Sequence, residues 1–335
     1  MTGGRFAALG TTVGAAGTLG LGALVARRLI VPTPYTATAT VRSSSATEVD
    51  LEATRDTRLP GTYRLTRDGH EDRASDVRVG EVLGTDADGV RRRTESAAAT
   101  GEWAWDAMLF DDAEDAPGTE PATSDTHVVH VHGQSLGPRQ VLRGLGVWRG
   151  LGATSEVLDT TDLPLRSLDP VAVDRVVTAV RAARARGVAR VVLQGWSAGA
   201  LACSVAASRE PVDGIVGVSP LLDVRSALRG AVGAARLPRF VGTVAARIAT
   251  TPVVSRLAGA AQPVGTPSWQ DTRTPTLVLH SEADALVAAD DVTRLTRRRD
   301  VRAVTFRTAP HTLEWNEDPE RWETAVREFA ATLQA

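Results

Sequence analysis

A mostly parallel, doubly wound α/β sheet with a helical insertion is the fold class this sequence predicts for residues 127–335. Ahead of it the sequence predicts a small antiparallel β unit and an amino-terminal transmembrane helix. Three observations carry the prediction. From His127 onward, short β-branched runs alternate with longer stretches of helical periodicity, the pattern of strands linked by helical crossovers. One of them, RVVLQ, reads as a buried strand, as suits a sheet whose two faces are covered by helices. Between Glu48 and Phe110, by contrast, short runs alternate apolar and polar residues and are parted by Gly, Asp and Pro clusters, which suits antiparallel strands.

The elements follow in order. Phe6 to Ala26 is uncharged and bracketed by Arg5 and Arg27-Arg28, and a helix of that length rises about 30 Å, enough to cross a bilayer core. Residues 1–31 are therefore expected to form a single-pass membrane anchor through residues 6–26, with a cleaved signal and secretion as the alternative. Residues 32–46 are rich in Thr, Ser and Ala and read as a linker. Residues 47–110 hold the β-rich unit, in the runs EVDLEA, TYRLT, VRVGEVL and EWAWDAMLF. Residues 111–126 are acidic, contain two prolines and lack apolar periodicity, so they read as a solvated loop.

In residues 127–335 the strand runs are HVVHV, SEVLD, RVVLQ, GIVGVS, TLVLH and RAVTF. Asp169-Pro170 supplies a helix cap with proline at the first position, and Val173, Val176, Val177 and Val180 form one apolar stripe. Gly187 is placed to end that helix. Asp318-Pro319 starts a last helix whose Trp322, Val326, Phe329 and Leu333 share a face. Residues from about 223 to 272 break the alternation and look helical, so they are expected to form a cap over the carboxyl ends of the strands, where ligands bind in such sheets.

Composition removes several function classes. A formal net charge of −2 gives no basic footprint for nucleic acid. A single cysteine, Cys203, excludes an intrachain disulfide and any cysteine-based metal cluster. No cofactor motif is present. His130-x-His132 resembles half of a zinc motif, but the Asp and His that would complete it do not follow, so a structural role is expected. Cys203, Trp148 and Trp196 read as packing residues.

The stretch VVLQGWSAGALACS carries the chemistry. Ser197 stands between Gly195 and Gly199, after an apolar strand run and before a small-residue helix, the strand–turn–helix setting of a nucleophile elbow. A serine hydroxyl is too weak an acid to attack unaided and needs a base with an orienting acid. Of six histidines, only His311 lies on a loop late in the chain, between a strand and the last helix. For the acid, Asp284 follows the strand TLVLH at a turn, with Glu282 and Asp223 as competitors.

VHVHG, GWSAG, LVLHSEADALV and APHTL, in that order, resemble landmarks of the α/β-hydrolase superfamily, most closely its serine-aminopeptidase and prolyl-oligopeptidase-like branch. Ser281 departs from that pattern, where glycine is common. The resemblance implies Ser197 as nucleophile, Asp284 as acid and His311 as base. It also implies an oxyanion hole at the backbone N–H groups of Ala198 and Gln134, supported by His132 and Gly133. The expected function is hydrolysis of a small-molecule carboxylic ester or thioester. A serine peptidase of small peptides is the alternative enzyme, and a non-catalytic, membrane-tethered binding protein on a hydrolase fold is the alternative from another class.

Overall fold

A computed structural model describes residues 17–27, 31, 37–67, 76–106, 124–252, 254–258, 263–265, 268–270, 273–287 and 289–334. Six strands, β1 Ala37–Ser44, β2 Glu48–Glu52, β3 Tyr63–Thr66, β4 Val77–Thr85, β5 Gly89–Thr94 and β6 Gly101–Asp106, close into a barrel in the order β1-β2-β5-β4-β3-β6. Every pairing within it is antiparallel. The antiparallel unit expected from the sequence is thus a closed barrel, and it begins earlier than expected. The supposed linker 32–46 contains β1, which pairs with both β2 and β6 and so seals the barrel. Its Ala37, Ala39 and Val41 point inward, where small side chains fit beside Tyr63, Trp103 and Trp105. β5 also gave little apolar signal, because among its buried residues Val90, Arg92 and Thr94 only Val90 has an apolar side chain. Arg92 is buried inside the barrel, donates to the carbonyls of Thr57, Leu59, Gly61 and Gly80, and lies over the rings of Tyr63 and Trp105.

Half of the expected membrane span, residues 6–16, falls outside the described residues, as do the end of the β-rich run after Asp106 and the acidic loop up to residue 123. Residues 17–27 form a helix, α1, that buries Val25 and Ala26 against other helices of the chain. Among the described residues no helix is long and apolar enough to cross a membrane.

The second unit is a six-stranded sheet of β7 Thr126–Val131, β8 Thr154–Leu158, β9 Arg190–Trp196, β10 Gly214–Val218, β11 Thr276–Ser281 and β12 Val301–Phe306. The strand order is β12-β11-β10-β9-β7-β8 and all neighbours run parallel. α2 Leu142–Gly150 and α9 Pro319–Thr332 cover one face, centred on the fully buried Trp148, Trp196 and Trp322. α3 Pro170–Ala185 and α4 Ala198–Ala207 cover the other through Val173, Val176, Val177, Val180 and Cys203. Both capping signals act as their chemistry dictates: Asp169 accepts from Val171 N–H and Asp318 from Arg321 N–H. Gly187 follows α3 with φ 83°, a conformation that glycine adopts without strain.

The insertion folds as two helices, α5 Val224–Ala234 and α6 Arg239–Thr250, parted at Arg236, whose φ is 53°. Their apolar faces (Leu228, Val232, Val241, Ala245, Ile248) form one core with Ala198 and Leu201 of α4 and with α1. Sheet, barrel and cap converge on the carboxyl ends of β7 and β9, where the strand order reverses.

Candidate active site

β9 turns into α4 through a single residue. Ser197 has φ 51° and ψ −116°, a strained conformation for a residue with a side chain and one that costs of order 1–3 kcal/mol. The turn is pinned on both sides: Ser197 N–H donates to Val218 O at 2.9 Å, and Ser197 O accepts from Leu221 N–H at 3.1 Å. The flanking glycines have no room for a side chain. A Cβ on Gly195 would lie 2.4 Å from the Ala200 backbone, and one on Gly199 would lie 2.2 Å from Val131 O. Strand, turn and helix are thus pressed together until the serine hydroxyl stands clear.

Two other loops meet it there. His311, on the loop after β12, places Nε2 at 2.8 Å from Ser197 Oγ. Its Nδ1 lies 2.7 Å from Asp284 Oδ2, on the turn after β11. Asp284 is buried and also accepts from the N–H groups of Leu286 and Val287 at 2.8 and 3.0 Å. These contacts select a tautomer: the proton on Nδ1 faces the carboxylate and Nε2 is left to accept from serine. Burial disfavours the charge on Asp284, but His311 and the two backbone donors outweigh it and hold the carboxyl below its ordinary range. Burial likewise opposes charge on His311, yet the carboxylate of Asp284 prevails and raises the imidazole above its ordinary value. The competing acids are elsewhere. Asp223 caps α5 by accepting from Ser226 N–H and Oγ, and Glu282 is exposed.

Of the two expected oxyanion donors, Ala198 directly follows the serine in the chain. Ala198 is the first residue of α4, so its N–H is among those a helix leaves without an internal partner. Gln134 follows Gly133, where a Cβ would lie 3.2 Å from Ser197 Cβ. Gly133 N–H itself donates to Gln140 Oε1 at 2.7 Å. His132 is a brace: Nε2 accepts from Thr160 N–H at 3.0 Å and Nδ1 meets Gly133 O at 2.7 Å, which describes a neutral ring. Burial lowers its pKa accordingly. His130 is pushed down to about 3 by burial and by His127. His70 lies outside the described residues. Among the described residues no three metal-ligating side chains converge. Cys203 is buried in α4, and burial pushes its thiol up.

A set of polar residues not foreseen from sequence holds the histidine loop. Gln140, which takes Gly133 N–H, donates to Thr312 Oγ1 at 3.1 Å. Thr312 N–H donates to Ser219 Oγ at 3.0 Å, and Ser219 in turn donates to the buried carboxyl of Glu314. Burial pushes Glu314 up to about 7, against the hydrogen bond from Ser219. Arg143, buried on α2, donates to Thr312 O at 2.9 Å and to Asn316 Oδ1. Asn316, on α8 Glu314–Glu317, then reaches the barrel: its Nδ2 donates to Thr62 O at 2.7 Å, and its carbonyl accepts from Thr62 N–H at 3.2 Å. Gly61, with φ 98°, makes this possible, since a Cβ there would sit 1.4 Å from Asn316 O. The carbonyl of Gly61 is the one gripped by Arg92 Nη2 at 2.6 Å. A continuous polar chain therefore runs from the barrel interior to the residue beside His311. Such residues carry no motif in the sequence.

A parallel sheet with this strand order, a strained serine after the third strand and a histidine and aspartate on two later loops define an α/β-hydrolase-like protein. Residues 40–105, within the barrel, match a family model described as a domain of unknown function, DUF8805. No curated protein matches the chain. Among solved structures, an esterase from Pyrococcus furiosus is 15% identical, covers 84% of this chain and 94% of its own, and has a TM-score of 0.49. A proline iminopeptidase-related protein from Thermus thermophilus is 19% identical over 64% of this chain and 92% of its own, with a TM-score of 0.45. A lidless α/β serine hydrolase from Xanthomonas campestris is 17% identical over 64% of this chain and 87% of its own, with a TM-score of 0.40. These are distant likenesses of fold, and the chemistry of the site rests on its own geometry.

Proposed function

We propose that this protein is a serine hydrolase that cleaves a carboxylic ester or thioester through an acyl-enzyme on Ser197. The observation that carries the reading is the unbroken hydrogen-bonded line from Ser197 Oγ through His311 to the buried carboxylate of Asp284. Ser197 Oγ attacks the carbonyl carbon while His311 Nε2 takes its proton, and Asp284 fixes the ring and stabilises its charged form. The tetrahedral oxyanion accepts from the N–H groups of Ala198 and Gln134, and such a donor typically lowers the barrier by about 2.7–4 kcal/mol. Collapse breaks the bond to the alcohol or thiol, which leaves with the proton from His311. Water then gives a proton to His311, attacks the acyl carbon, and releases the acid and a restored serine.

An ester fits better than a peptide with a free amino terminus. Holding an ammonium needs a carboxylate beside the site, and the cap contributes none between Val224 and Gln270. Turnover of p-nitrophenyl acetate by two aspartate variants tests the assignment. Asp284→Asn is expected to lose about 10⁴ in kcat through the wrong imidazole tautomer. Asp223→Asn is expected to stay near the parent rate, because asparagine also caps helices. An Asp284→Asn enzyme as fast as the parent would overturn the reading.

A further inference from the structure

Between Val224 and Gln270 the chain has six arginines, at 225, 229, 236, 239, 247 and 256, and no aspartate or glutamate. This occurs in a protein whose acidic residues outnumber its basic ones, 40 to 38. All six are exposed, and among the described residues none forms an ion pair, whereas arginines elsewhere commonly do, as in Arg93–Glu81, Arg139–Asp106 and Arg175–Asp162. Arg225 and Arg229 lie one turn apart on α5, while Arg239 and Arg247 lie on the exposed side of α6. A second, separate observation concerns α1 and α6. Four large apolar side chains are exposed among the described residues, and three of them, Leu19, Leu24 and Phe240, belong to α1 and α6. These two helices touch where Gly22 meets Val244, close enough that a Cβ on Gly22 would lie 2.6 Å from the valine methyl.

We infer that this outer face of the cap, with α1 laid across it, docks on an anionic lipid bilayer. Arginine heads would meet lipid phosphates while Phe240, Leu19 and Leu24 enter the boundary between headgroups and acyl chains. The apolar members favour a bilayer over a soluble polyanion, which would match the charge and leave those side chains in water. The inference rests on this surface alone and is independent of the catalytic reading.

Sedimentation of the full-length chain with vesicles tests it, using phosphatidylcholine alone and phosphatidylcholine mixed with phosphatidylglycerol. The parent should favour the anionic vesicles, and added salt should weaken that preference. Each arginine near such a surface is worth about fivefold in partitioning, so a variant combining Arg225→Gln, Arg229→Gln, Arg239→Gln and Arg247→Gln should lose a few hundredfold. Phe240→Ser should weaken binding without changing its salt dependence. Far-ultraviolet circular dichroism and turnover of a soluble ester, measured without vesicles, show whether each variant is folded. A folded quadruple variant that sediments like the parent, or a parent with no preference for anionic vesicles, would overturn the proposal.

Discussion

On one side of Ser197 the barrel meets the parallel sheet through hydrogen bonds, and on the other the cap meets it through apolar side chains. The barrel contact is short and directional: Thr62 and Asn316 exchange two bonds, Gly61 leaves space for the approach, and buried Arg92 and Arg143 grip the two ends. The cap contact is broad and unspecific in direction, with Leu228, Val241, Ala245 and Ile248 packed on Ala198 and Leu201. The difference teaches what each can transmit. Hydrogen bonds fix the distance and direction at which the histidine loop is held, because an unpaired buried donor is costly. Apolar packing tolerates exchange of similar volumes and fixes position more loosely.

The sharpest way to break this contrast is Gly61→Ala. The new methyl cannot coexist with Asn316 O, and the left-handed backbone resists any side chain. Displacing the histidine loop by about 1 Å should cost about 10²-fold in kcat with little change in KM. Steady-state kinetics on p-nitrophenyl acetate checks this, and unchanged kcat in a folded variant would show that the barrel does not position the loop. Asn316→Ala comes next. It leaves Arg143 short of an acceptor and Thr62 short of a donor, and should destabilise the fold by about 2–3 kcal/mol in urea unfolding.

A smaller effect separates the polar side further. The base must be neutral to act, and Asp284 raises the pKa of His311. The acid limb of kcat/KM should therefore have its midpoint above the ordinary histidine value of about 6.5, with activity lost as pH falls through it. Glu314 adds to the field on His311, so Glu314→Gln should move that midpoint to lower pH. A pH–rate profile of both enzymes reads the shift. The smallest effect belongs to the cap surface. Arg229→Gln and Arg239→Gln should each change stability by less than about 0.5 kcal/mol and leave soluble-ester turnover unchanged.

Much of the parallel sheet was legible in the sequence because its signals are local. All six apolar runs from His127 onward are strands, and Asp169, Gly187 and Asp318 punctuate helices by chemistry internal to a few residues. Ser197 was legible for the same reason: an elbow needs glycine at both neighbours of its neighbours. The barrel was only half legible. β1 hides in a Thr/Ala run whose inward residues are small because aromatic rings occupy the interior, and β5 hides because two of its buried residues, Arg92 and Thr94, are polar. Arg143, Asn316 and Glu314 were not legible at all, since their roles arise from contacts between segments more than 90 residues apart. Residues 6–16 of the uncharged run that predicted a membrane span lie outside the described residues, and residues 17–27 form a helix packed on the cap.

The most direct measurement is mass spectrometry of the folded protein after reaction with a fluorophosphonate. Only an alcohol made nucleophilic by its neighbours reacts at a useful rate, so the adduct should sit on the peptide containing Ser197. It should vanish in Ser197→Ala. An adduct that persists in Ser197→Ala, or a folded parent that takes up no label while a known serine hydrolase does, would contradict the account.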